Sequence, residues 1–169
     1  MENNRELPND AVIEMAIVGA VILYPSKFND IAKYIVSDKV WYDNRCKVLW
    51  NVLAGMIKRR EHVDIMTVTS TLDDSDYLQK VDNVFLVDCT ESAGAKGTIE
   101  IYAKKIYEKY LLRLVVESAK EIEHKAMDNK VDALDVLVTA HTSIGELINL
   151  RPDNTFSIDD ALGDAIESI

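Results

Sequence analysis

Apolar residues return at helical spacing along most of the chain, and only short polar stretches separate them. The run AVIEMAIVGAVILY, residues 11–24, predicts a buried helix, with Asn9 or Asp10 as its cap and Pro25 as its stop. Ser26 opens a second helix in which Phe28, Ile31, Ala32, Ile35 and Val36 share one apolar face. After a break at Ser37 and Asp38, Asp43 or Asn44 caps a third helix. There Val48, Leu49, Val52, Leu53, Met56 and Ile57 draw the clearest stripe in the chain, and Lys58, Arg59 and Arg60 suit the negative end of the helix dipole.

The stretch EHVDIMTVTSTLDD, residues 61–74, carries the β-branched residues of a strand, but Asp64 is a good cap and predicts a short helix to about Leu72. Another helix is predicted over residues 83–91. From Ile99 a long amphipathic helix runs to about Met127, with Ile99, Tyr102, Ile106 and Tyr110 on one stripe and Leu111, Leu114, Val115 and Ile122 beyond. The next helix starts near Asp132 and repeats the pattern with Leu134, Leu137, Val138, His141, Ile144 and Ile148. Two such helices with a short polar link make an antiparallel hairpin. Arg151 to Asn154 read as a linker, and Ser157 caps a last short helix edged by Ile158, Leu162 and Ile166. The expected fold is all-α. A small helical globular head covers residues 1–110, a hairpin sharing its long helix with the head from about residue 99 covers 111–150, and a linker with its helix covers 151–169.

Composition agrees with this outline. With 169 residues, 48% hydrophobic and 28% charged, the chain can bury a core as one domain with an appendage. Six glycines and three prolines are few, which favours helices over many short strands. The net charge of −10 is uneven: residues 1–113 hold 15 basic and 17 acidic side chains, residues 114–169 hold 4 and 12. An acidic second part lacks the lysines and arginines that displace counterions from DNA, so little direct DNA binding is expected and protein partners are favoured. The start MENNRELPND lacks the parts of a signal peptide, and the longest apolar run is too short for a bilayer. A reducing cytoplasm without a membrane partner is expected, with Cys46 and Cys89 as free thiols.

Few residues suggest chemistry. SAGAKGTIE, residues 92–100, has the residue types of a phosphate loop, but Lys96 stands between Gly94 and Gly97 and Thr98 follows the second glycine directly. That order does not place backbone amides around a phosphate ahead of the lysine. The stretch reads instead as a glycine turn ended by Thr98, a helix cap. His62, His124 and His141 are scattered, and no Cys or His stands at zinc-site spacing. Asp73, Asp74 and Asp76 lack the glycine and distal glutamate of a calcium loop and read as a solvated turn. Cys46 and Cys89 read as small core residues. No catalytic, metal-binding or cofactor-binding residue is assigned; the chain reads as a binding or assembly module. The hairpin's apolar residues exceed what two helices can hide in each other. Leu114, Val115, Ile122, Leu134, Leu137, Val138, His141 and Ile144 are therefore the candidate surface for self-association.

Five short patterns stand in a particular order. Glu14, Ile17, Val18, Gly19 and Ala20 lie in the first helix; Trp41 to Trp50 form the second pattern; Val63, Asp64, Ile65, Met66 and Thr67 lead to Leu72. Thr98, Ile99, Tyr102 and Ala103 open the long helix, and Leu111, Leu112 and Arg113 follow. Together they resemble the N-terminal domain of DnaB-type replicative DNA helicases over essentially the whole chain. The chain departs from that pattern at Cys46, where histidine is common, at residues 82–84, which lack a glycine pair, and at His141, where an acidic residue is frequent. The resemblance implies that head and hairpin pair with other copies, from a dimer up to the collar of a hexameric ring, and that primase and a helicase loader dock there. It also implies contact of Ile158, Leu162 and Ile166 with a neighbouring subunit, and places ATP and Mg2+ in a motor domain following residue 169. The other reading is a free-standing adaptor or inhibitor, of phage or plasmid type, that mimics this domain to recruit or block a helicase.

Overall fold

The computed structural model describes residues 6–74, 81–128 and 130–150. Seven α-helices lie among them: α1 (Ala11–Leu23), α2 (Phe28–Ala32), α3 (Asn44–Lys58), α4 (Ile65–Asp74), α5 (Asn83–Ser92), α6 (Ile99–Ala126) and α7 (Ala133–Asn149). Short 3-10 turns occupy Pro25–Lys27 and Asp38–Val40, and no strand occurs among the described residues. The linker, the helix predicted after Ser157 and Asp76 lie outside the described residues. Two compact units divide the chain, residues 1–113 and 114–169.

Local side chains start the helices of the first unit. Asp10 accepts from the Ile13 amide at 3.1 Å, Asp43 from Arg45 at 2.8 Å and Asp82 from Phe85 at 2.8 Å. Asp64 and Thr67 cap α4 reciprocally: the Thr67 amide donates to Asp64 Oδ1 at 2.8 Å, and the Asp64 amide donates to Thr67 Oγ1 at 3.0 Å. This exchange resolves residues 61–74 as helix in spite of their β-branched content. Thr69 and Thr71 then turn their hydroxyls back to the carbonyls of Ile65 and Thr67.

Two local expectations need correction. The second helix ends at Ala32 and does not reach Val36, which is 57% exposed. After Ile31 the amides of Tyr34 and Ile35 bond three residues back, to Ile31 and Ala32, and the chain is extended by Ser37. Tightening to 3-10 bonds is a common way for a helix to finish. Thr98 does stand at the cap position, its carbonyl accepting from the Tyr102 amide at 3.2 Å, but its hydroxyl donates to the Ala95 carbonyl at 2.8 Å and so serves the turn before α6. Gly94 in that turn has a packing role, since a Cβ there would lie 2.7 Å from the Tyr102 ring.

The core of the first unit forms around α1, whose residues Ala16 to Ile22 are all buried. α1 packs on α5 and α3, and α3 on α4. At Gly19 the backbone of α1 lies against that of α5: an added Cβ would sit 1.8 Å from the Cys89 carbonyl oxygen. Leu49, Leu53 and Met56 of α3, Leu72 of α4 and Leu86 of α5 are almost wholly buried, as are Ile99, Ile106 and Tyr107 of α6. Aromatic rings pack here: Phe28 stacks on Trp50 with centroids 4.7 Å apart, and Trp41 lies tilted against Trp50 at 5.5 Å.

The second unit is a helical hairpin built from the C-terminal part of α6 and from α7, which Asp132 caps. No residue of α7 is buried. On α7 the half-buried residues Val136, Thr139, Ala140, Ser143 and Leu147 form one stripe, with Gly145 half-buried apart from it, and on α6 Leu114, Ser118, Ile122 and Lys125 recur every three or four residues, with Val116 half-buried between them. These are the spacings of one helix face laid along another.

Candidate interaction surface

The half-buried stripe of α7 holds Val136 and Leu147 beside small residues, and five other large aliphatic side chains point elsewhere. Leu134 is 64% exposed, Leu137 65%, Val138 58%, Ile144 41% and Ile148 45%. At 100° per residue these five, with His141, fall within about 120° of the helix circumference, well apart from the half-buried stripe. His141 is exposed among them. Of the predicted residues on α6, Val115 is 44% exposed, while Leu114 and Ile122 are half-buried. Ile158, Leu162 and Ile166 lie outside the described residues.

Sequence reasoning did not assign a role to two polar residues inside the first unit. Glu14 is 1% exposed, and its carboxylate accepts from the Tyr42 amide at 2.9 Å and the Asp43 amide at 2.9 Å. Burial lifts its carboxyl above the ordinary 4.5, while the two amide bonds and the positive charge of Arg113 pull the other way. Arg113 is 5% exposed and ties three segments together, donating to the carbonyls of Pro8 at 2.8 Å, Lys39 at 2.9 Å and Val40 at 2.7 Å. Its guanidinium also lies 5.8 Å from the Tyr42 ring centroid and 5.9 Å from that of Tyr110. A planar group with five donors suits this task, and an ammonium would not. The sequence signal was present, since an acidic residue in a run of apolar ones has to find buried donors.

The remaining candidates carry no assembled chemistry. Cys46 and Cys89 are buried and free. Burial drives the Cys46 thiol far above its ordinary range and pushes Cys89 up to about 12, so both stay protonated at neutral pH. His62 Nε2 lies 3.2 Å from Asp64 Oδ2 at the surface, beside an open groove of about 650 Å³ lined mainly by apolar residues such as Ile22, Leu23 and Val63. His124 borders a second groove of about 610 Å³ with Lys120 and Glu123. Among the described residues no group of three or more His, Cys, Asp or Glu could hold a metal ion. No single described helix is long and apolar enough to cross a membrane.

Residues 6–108 match the family described as the DnaB-like helicase N terminal domain. The chain belongs to that family. Among curated proteins the DnaB-like domain here is 29% identical to the replicative DNA helicase DnaC of Bacillus subtilis (strain 168), over 99% of this chain and 37% of that protein. It is 26% identical to the replicative DNA helicase DnaB of Rhodothermus marinus, over 85% of this chain and 15% of that protein. The chain thus spans little more than a third of the first of these relatives and less of the second. Among solved structures, the N-terminal domain of DnaB helicase from Mycobacterium tuberculosis superposes with a TM-score of 0.73 at 20% identity, covering 83% of this chain and 99% of that one. That likeness shows a shared fold. Within it, the patterns of the DnaB-like domain that stand out in the sequence serve the fold: Gly19 as a close approach, Asp64 and Thr67 as a cap, Glu14 and Arg113 as buried polar ties.

Proposed function

We propose that this chain is the assembly and partner-docking domain of a cytoplasmic replicative DNA helicase, without catalysis of its own. It self-associates through the outward face of the hairpin, from dimers up to the collar of a hexameric ring, and that collar receives primase or a loader protein. Ile158, Leu162 and Ile166 of the last segment contact a neighbouring subunit, and ATP with Mg2+ belongs to a motor domain beyond this chain. The observation that carries the reading is the row of aliphatic side chains left outward on α7 in a chain of this family. Covering one such leucine is worth about 1.5–3 kcal/mol, so a few from each copy can sustain a pair after the entropy of association is met.

Sedimentation velocity across a concentration series tests this. Dimers or higher even-numbered states are expected for the wild type. Leu137→Asp, which would leave an unpaired charge buried twice in a symmetric pair, is expected to give monomers with unchanged helical circular dichroism. A wild-type chain that remains monomeric at high micromolar concentration would refute the proposal.

A further inference from the structure

On α6 the buried residues Ala103, Ile106, Tyr107 and Tyr110 turn one face into the core of the first unit. The opposite face is open. At 100° per residue Lys104, Lys105, Glu108 and Leu112 fall within about 60° of Ile101 on the helix circumference, and Lys109 within about 80°. Ile101 is 56% exposed and Leu112 50%, at the two ends of this stripe, and the exposed Glu108 stands on the line between them. Lys104 flanks the line on one side, Lys105 and Lys109 on the other. We infer that this stripe receives an acidic amphipathic helix of another protein. The aliphatic residues of that helix cover Ile101 and Leu112, and its carboxylates reach the three lysines.

Charge carries the choice of occupant. Lys27, Lys33, Arg45, Arg59 and Lys125 each hold a carboxylate in ion-pair contact, whereas Lys104, Lys105 and Lys109 have none among the described residues. Glu100, one turn before Lys104, is taken by Lys33 and by the Tyr34 hydroxyl. Three positive charges thus stand against the single negative charge of Glu108, in a chain whose net charge is −10. Lys105 and Lys109 are four residues apart, a like-charge pair that by itself weakens a helix. An acidic partner turns that repulsion into attraction, as flanking charges do beside the apolar seam of paired helices. From Ile101 to Leu112 the stripe runs about 17 Å, or three turns, enough for a second helix to lay its apolar side along it. A nucleic-acid backbone fits less well. Its phosphates would meet Glu108 on the central line and gain nothing from the two aliphatic residues.

Fluorescence anisotropy with the full chain tests this, the probe being a labelled peptide of about five helical turns with leucines in heptad spacing and glutamates on both flanks. Saturable binding is expected. Lys104→Glu combined with Lys105→Glu is expected to weaken it at least about tenfold, because like charges then face each other. Ile101→Ser combined with Leu112→Ser is expected to weaken it to a similar degree, both variants keeping the circular dichroism of the wild type. Glu108→Gln is expected to tighten it, and added salt to weaken the wild type more than the lysine variant. Equal binding of a peptide with lysine in place of glutamate, or unchanged affinity in the lysine variant, overturns the inference. So does a wild-type chain that prefers a thymidine oligonucleotide or phosphatidylserine vesicles to the peptide, which would assign the stripe to nucleic acid or to lipid. A chain that self-associates but ignores the peptide overturns this inference alone, and a chain that binds the peptide but stays monomeric overturns only the self-association through α7.

Discussion

Gly19 marks the closest approach in the first unit. Its neighbours across the gap are backbone atoms, Cys89 O at 1.8 Å and Cys89 C at 2.3 Å from the position of a Cβ, and backbone cannot swing aside as a side-chain end can. Gly19→Ala therefore has to push α1 from α5 and is expected to lower stability by about 3 kcal/mol, measured by urea unfolding. Glu14 makes a second prediction at this scale. Its folded pKa lies above the ordinary 4.5, so its contribution to stability is full below 4.5 and is lost as pH rises through the raised value. Glu14→Gln does not titrate and lacks that slope. Urea unfolding of both proteins is expected to show a larger wild-type margin at pH 4.5 than at pH 7; a margin that shrinks on acidification would mean that the amide bonds outweigh burial. The sequence pointed to both residues as part of a pattern, but not to their partners. Those come from α5 and from the turn before α3.

At the scale of the element, helix starts were more legible than helix ends. Asp43, Asp64 and Asp132 each begin a helix as their side chains suggest, because a cap needs only the amides of the next two or three residues. Ends depend on what the chain does next. α2 stops after five residues as its bonds tighten, and α3 closes with the Glu61 amide on the Met56 carbonyl and the Arg60 amide on Ile57, both at 3.0 Å. This is a Schellman motif, and it places Arg60 at φ 59°, a left-handed position that suits glycine. The basic triplet that suited the helix dipole thus ends in a strained residue. Arg60→Gly is expected to stabilise the chain by about 0.5–1 kcal/mol, the release of strain being partly offset by a freer unfolded chain. Thermal unfolding checks this, and a lowered midpoint would show that the arginine side chain contributes more than its backbone strain removes.

For the whole molecule the contrast lies between the two units. The first buries a continuous core around α1, whereas α7 buries no residue at all. Helices with few buried apolar contacts open locally at little free-energy expense. Amide exchange in α7 is expected to be fast in dilute solution and to slow as protein concentration rises, while exchange in α1 stays slow and independent of concentration. Slow exchange of α7 at all concentrations would place its outward face under cover within one chain. By itself the sequence determined the all-helical class and most of the helix starts, because caps and helical periodicity act over a few neighbouring positions. Only the tertiary structure decided where the buried polar groups find partners. Glu14 takes its amides from 28 and 29 residues away, and Arg113 its carbonyls from 73, 74 and 105 residues away, separations at which no local pattern can act. It also decided that α7 turns Val136, Ala140, Ser143 and Leu147 inward and leaves Leu134, Leu137 and Val138 outside, because a helix with apolar residues on two faces can lay only one of them along its neighbour.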